Sequence, residues 1–185
     1  SNNLYKLWNR LASGSYFPQA VKQVGIPKAS GGIRHLGIPT VSDRIAQMVV
    51  KTSLEQRIDS MFSGNSFGYR PGKSAHMALE KAVENCRNYA WVIDLDIKGF
   101  FDNIDHELLE KALARHANKW EIMYIRRWLE APVQKSDGTI ERKQGKGTPQ
   151  GGVISPLLAN LFLHYAFDEW MRINHSGNTF ERYAD

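Results

Sequence analysis

The chain has 185 residues, 42% hydrophobic and 11% aromatic, which is enough to bury a core in one or two small lobes and too apolar for a disordered tail. Its formal charge is +5 with a pI of about 9.3, unevenly spread: residues 1–93 hold 12 Lys/Arg against 5 Asp/Glu (+7), and residues 94–185 hold 12 against 14 (−2). A single cysteine, Cys86, excludes an internal disulfide or a cysteine zinc site, and no apolar run approaches the length of a membrane-spanning helix.

In chain order, Leu4, Leu7, Trp8 and Leu11 repeat with helical spacing before Gly14 and predict a short leading helix. Val21–Lys28 and Ile33–Ile38 read as strands joined through Ala29-Ser-Gly-Gly32, a hairpin carrying Lys28 and Arg34. Ser42 is the expected N-cap of a helix running to about Phe62, with Asp43 in its first turn, and Ser74 caps another from Ala75 to Cys86. Trp91–Ile97 alternates apolar and other residues and predicts a strand with Asp94 and Asp96 on one side. Asp105 caps a helix to about Ala117, and another covers Glu121–Leu129. Asp137-Gly138 is the turn of a hairpin within Val133–Ile140. Ser155 as N-cap, with Pro156 first in the helix, opens a long apolar helix to Ile173, and Phe180–Asp185 is expected to start a strand. The order implies an α+β fold: a basic lobe over residues 1–90, then a lobe over 91–185 with helices on one face of an antiparallel sheet.

Two carboxylates at this spacing on a rigid strand suit a hard divalent cation, although taken alone Asp94 and Asp96 fit a strand end meeting solvent better. The six histidines show no metal-ligand spacing. The absence of a charged-then-apolar N-terminal signal, with one cysteine, makes a reducing cytoplasm the expected setting.

Three blocks change that balance. Asp96-Ile-Lys-Gly-Phe-Phe101, Gly147-Thr-Pro-Gln-Gly-Gly152 and Tyr183-Ala-Asp185 resemble, in order, the palm motifs of reverse transcriptases. Ile26–Arg44 and Ser66–Ser74 resemble the finger blocks of the proteins encoded by bacterial group II introns, so the resemblance covers nearly the whole chain. It implies a fingers-plus-partial-palm piece of an RNA-directed DNA polymerase that also assists intron splicing. Asp96 and Asp185 become metal ligands for two Mg²⁺ ions, with Mn²⁺ as a substitute, while Asp94 and Asp102 become supporting residues. Lys28 and Arg34 become clamps on the incoming triphosphate. Gln150 contacts the nucleotide, Gly151 and Gly152 admit sugar, base or template, and Phe101 stands against a ribose 2′-hydroxyl. Phe100 and Phe101 are expected to point oppositely on an extended segment.

Lys22, Tyr69, Arg70 and Lys73 are assigned to the template backbone. The implied partners are template or intron RNA, a DNA primer and deoxynucleotides, without a membrane, and with a homodimer left open. The family motif reads Tyr-Ala-Asp-Asp and the chain stops after the first of these acids, so residues 1–185 alone are expected not to extend primers. The alternatives are an RNA-binding scaffold without catalysis, or a reverse transcriptase of a retron, a diversity-generating element or a defence system.

Overall fold

A computed structural model describes residues 2–27, 31–142 and 145–185. The elements are α1 (Asn2–Ala12), β1 (Val21–Pro27), β2 (Ile33–Ile38), α2 (Val41–Ile58, continued by a 3₁₀ turn Asp59–Met61), α3 (Ala75–Cys86), α4 (Phe100–Asn103), α5 (His106–Leu113), α6 (Lys119–Leu129), β3 (Val133–Gln134), β4 (Ile140–Glu141), α7 (Ser155–Leu163), a π turn (His164–Asp168) and α8 (Glu169–Asn174). The architecture is α+β, as expected. Its sheet is mixed rather than antiparallel, however, in the order β2-β1-β3-β4. β1 and β2 form the expected hairpin, with Ile26 opposite Arg34, and β3 and β4 form the second. The two hairpins join in parallel, Val21 opposite Val133, and Val21 N–H donates to the Pro132 carbonyl at 2.8 Å. The parallel sense follows because helices α2 to α6 intervene and return the chain to the same end of β1.

Trp91–Ile97, expected as the central strand, is not a strand. Its apolar side chains are open to solvent, Trp91 at 90% and Ile93 at 82%. Alternation tells which residues would share a face, but a strand exists only where a second segment completes its hydrogen bonds, and no described residue does so here. Residues 180–185 likewise form no strand, only one bridge between Arg182 and Ser66.

The core lies among the helices. α2 packs on α6 and α7, and α5 on α6 and α7, burying Val50, Leu54, Ile58, Leu109, Leu113, Tyr124, Ile125 and Leu161. Tyr124 and Trp120 of α6 donate to the Leu11 carbonyl at the C-terminal end of α1, satisfying a group the helix leaves unpaired. Ser74 and Asp105 cap α3 and α5 as expected. Two caps differ. α2 begins after Thr40, whose hydroxyl accepts from Asp43 N–H and donates to the Asp43 carboxylate. Asp43 is thereby recruited by its own turn, and Ser42 lies inside the helix. Ser155 turns its hydroxyl back to the Pro149 carbonyl, and Gln47 of α2 accepts from Val153 and Ile154 N–H at the start of α7 instead.

A buried guanidinium ties the end of the chain to these helices. Arg182 is 6% exposed. It donates through Nε and Nη2 to both oxygens of Asp168, each at 2.9 Å, and through Nη1 to Asn160 Oδ1 at 2.9 Å and the Ala184 carbonyl at 2.8 Å. Asn160 in turn donates to the Gly68 carbonyl. Gly68 is needed there: a Cβ would stand 2.3 Å from the Ala184 nitrogen.

Removing one member of a buried pair strands the other charge, so Arg182→Met and Asp168→Ala should each lower unfolding free energy by about 3–5 kcal/mol in urea titrations. A surface control, Lys111→Met, should stay within about 0.5 kcal/mol. A pH effect is also expected. Burial lowers the pKa of His164 below the ordinary imidazole value, against the opposing pull of Asp168 and Glu169. The unfolded chain therefore takes up this proton first as pH falls below about 6.5, and stability should decline from there down to the folded-state pKa. Denaturation midpoints of His164→Gln should show a shallower decline over that window.

Candidate nucleotide and metal site

The glycine-rich loop is held by backbone on two sides. Gly147 and Thr148 N–H donate to the Ile104 and Phe101 carbonyls at 2.8 and 2.7 Å, and Gly37 N–H of β2 donates to the Gln150 carbonyl at 2.6 Å. Gly151 has a φ of +108°, and a Cβ on it would lie 2.6 Å from the Gly37 carbonyl oxygen. Glycine is required at this position for the loop to press against β2, a close approach within the protein itself. His106 Nε2 lies 2.7 Å from the Gly147 carbonyl and adds a buried side-chain tie.

On that frame the side chains of three elements meet. Arg34 Nε of β2 donates to Gln150 Oε1 at 3.1 Å. Gln150 Nε2 donates to Asp102 Oδ2 of α4 at 2.9 Å. Thus Arg34 and Gln150, 116 residues apart in sequence, are neighbours. Lys28 lies outside the described residues. Phe101 is half-buried on α4, edge-on to Phe100 at 5.7 Å and to Tyr69 at 6.5 Å between ring centroids. The two phenylalanines sit on a helical turn and not on an extended segment, because Gly99, in the left-handed conformation, turns the chain into α4 directly after Asp96-Ile-Lys98. Their separation survives: Phe100 is buried in the core and Phe101 is not.

Asp96 is exposed on the unpaired 91–97 segment, and Asp185 is half-buried beyond the Arg182 cluster. Two carboxylates with solvent access are the right kind of donor for a hard divalent cation, which takes one or two protein oxygens and completes its shell with water and phosphate. Among the described residues no group of three or more His, Cys, Asp or Glu is arranged to hold a metal by itself.

The basic residues divide. Lys22 and Tyr69 are exposed, Tyr69 with a φ of +58°. Lys73 donates to the Gly64 carbonyl and lies 4.8 Å over the Phe67 ring. Arg70 differs from its assignment to template: its side chain is 7% exposed, and its guanidinium binds Asp59 and the Ser63 and Ser66 carbonyls. Its charge is neutralised indoors, so it shapes the loop that presents Tyr69. Asp168, Asn160, Gln47 and Arg182 were not singled out by motif spacing. A signal existed for Arg182, a cation immediately before Tyr-Ala-Asp, and for Asn160, which closes the stretch that begins at Gly147-Thr-Pro-Gln-Gly-Gly152.

Comparison with known proteins agrees with this arrangement. A group II intron-encoded protein, LtrA, of Lactococcus lactis subsp. cremoris is 38% identical over 165 residues, 86% of this chain and 26% of LtrA. Protein YkfC of Escherichia coli K12 is 36% identical over 170 residues, 89% of this chain and 44% of YkfC. The chain thus spans less than half the length of these relatives. Among solved structures, a partial Cas6-RT-Cas1–Cas2 complex matches with a TM-score of 0.57 at 28% identity, over 100% of this chain and 32% of that one. Telomerase from Candida albicans, at 14% identity and a TM-score of 0.59 over 99% of this chain and 41% of that one, shares the fold. Residues 26–185 match the family described as reverse transcriptase (RNA-dependent DNA polymerase), whose members generally use divalent metal ions. On that match the chain belongs to the reverse transcriptase family.

Proposed function

We propose that residues 1–90 and 91–185 are the fingers and part of the palm of a group II intron-encoded reverse transcriptase. The protein copies RNA into DNA from a DNA primer and helps its intron RNA fold for splicing. The observation that carries this reading is the joint between the finger hairpin and the glycine loop, where Arg34 reaches Gln150 and Gln150 reaches Asp102, the residue after Phe101. A guanidinium there suits phosphate oxygens, most of all as charge grows on the leaving group. Lys28 is assigned to the same triphosphate, Gln150 to the nucleotide and Gly151 to the shape of the loop beneath it. Phe101 fills the space of a 2′-hydroxyl and offers it no hydrogen-bond partner. Asp96 and Asp185 hold two Mg²⁺ ions, or Mn²⁺ in their place. When bound, such a pair stabilises the attacking and departing oxygens of nucleotidyl transfer. Lys22, Tyr69 and Lys73 line the template path. No helix among the described residues is long and apolar enough to cross a membrane, and the proposed setting is the bacterial cytoplasm.

The test is primer extension by the longest natural chain containing residues 1–185, on an RNA template with Mg²⁺. Asp96→Ala and Asp185→Ala should each abolish it. Incorporation that persists in both variants overturns the assignment of the metal ligands. Phe101→Ala should raise the use of ribonucleotides relative to deoxynucleotides by roughly 5- to 150-fold, the equivalent of about 1–3 kcal/mol of steric exclusion. Phe100→Ala should chiefly lower the denaturation midpoint.

RNA affinity should fall with salt, each lost phosphate contact reducing the log–log slope by about 0.7–0.9. Lys22→Ala with Lys73→Ala should flatten that slope. Arg70→Ala should leave the slope in place and destabilise the fold, and the opposite pattern would return Arg70 to the template.

A further inference from the structure

Asp102 is exposed, adjoins Phe101 and lies outside the motif residues given a chemical role above. It nevertheless makes the second contact of Gln150, the loop side chain that reaches Arg34 of β2. A glutamine amide has two unlike ends: Oε1 only accepts and Nε2 only donates. Arg34 only donates and an ionised carboxylate only accepts, so the series Arg34 Nε–H to Gln150 Oε1, then Gln150 Nε2–H to Asp102 Oδ2, is satisfied in one orientation of the amide. Turning the amide over would set N–H against N–H at Arg34 and oxygen against carboxylate at Asp102. Both hydrogen bonds would be lost and two repulsions gained.

The backbone leaves little else to fix. Gln150 is bonded through its carbonyl to Gly37, and its neighbour Gly151 is pressed on the same residue. Thr148 N–H is bonded to the Phe101 carbonyl, so loop and α4 are already joined. Only the side-chain torsions of Gln150 are free, and its two polar ends are held from opposite sides.

We propose that Asp102 is a positioning residue for nucleotide binding: through the Gln150 amide it orients Arg34. This rests on the reading of Arg34 and Gln150 as nucleotide contacts. Asp102 takes one N–H of the amide and leaves the other for the nucleotide. Because Oε1 engages Arg34 through Nε, the terminal nitrogens of the guanidinium are left for phosphate oxygens, the fork geometry that suits them. Phe101 and Asp102 are consecutive on α4, so the residue assigned to sugar choice and the residue that sets the amide move as one piece.

Two measurements test this. In ¹⁵N-labelled residues 1–185, the two Gln150 side-chain amide protons should be displaced from free-amide shifts, with slowed exchange of the proton bonded to Asp102. These should collapse toward free-amide values in Asp102→Ala and be partly kept in Asp102→Asn, which retains an acceptor. In the longest natural chain, Asp102→Ala should raise KM for deoxynucleotides by about tenfold or more, the scale of a charge-assisted hydrogen bond, with kcat within about twofold. Asp102→Asn should recover part of that loss, and Asp102→Ala with Gln150→Ala should be no worse than Gln150→Ala alone. Independent, multiplying effects of the two substitutions, or an amide signal indifferent to Asp102, overturn the proposal while leaving the polymerase reading intact. If the amide signal depends on Asp102 but the unaltered protein incorporates no nucleotide, the positioning stands and the polymerase reading fails.

Discussion

A guanidinium removed from water must find acceptors for its donors, since it does not lose its proton at any ordinary pH. Arg182 meets that demand with one carboxylate, one amide and one carbonyl, drawn from the π turn, α7 and its own segment. The demand works as a constraint on everything nearby. It brings residues 182–184 against the 65–68 loop, where Phe67 N–H donates to the Arg182 carbonyl, Arg182 N–H donates to the Asn65 carbonyl, and only glycine fits at position 68. Asp185 comes directly after. The Arg182 cluster thereby fixes the backbone from which the Asp185 side chain projects.

The other half of the site depends on a different kind of fixing. The glycine loop is held by its peptide groups between β2 and the turn around α4, with Thr148 buried beneath it. Parallel pairing of β1 with β3 places the finger hairpin in one sheet with the second hairpin, and Gln47 receives the loop where it enters α7. Backbone anchoring of this sort is indifferent to side-chain identity except at glycine, and the close contact of Gly151 with Gly37 shows where that exception falls.

Much of this was readable in advance because local chemistry decides it. Ser74 and Asp105 cap helices through N–H groups three residues along the chain, and Asp137-Gly138 turns a hairpin as its geometry requires. Where a distant partner competes, local reading fails. Ser155 is drawn to Pro149 and replaced as a cap by Gln47, which is 106 residues from the N–H it receives. Trp91–Ile97 has the alternation of a strand, but alternation carries no information about which segment, if any, will pair with it. Arg70 looked like a phosphate ligand because charge is visible in a sequence and burial is not. In the candidate site, Arg34, Phe101 and Gln150 could be grouped through motif wording. The side chain that completes them, Asp102, depends on the direction in which a four-residue helix points.

The π turn at His164–Asp168 has a geometric consequence for the Arg182 cluster. Asn160 and Asp168 are eight positions apart, and in an unbroken α-helix, at about 100° per residue, they would face directions differing by about 80°. A π turn absorbs one extra residue, so the two stand roughly as residues seven apart would, within about 20° of each other. Both side chains can then converge on one guanidinium. The irregularity therefore acts as a phase correction: it returns the helix to register after a single-residue excess and turns two otherwise divergent side chains into one receptor for the arginine.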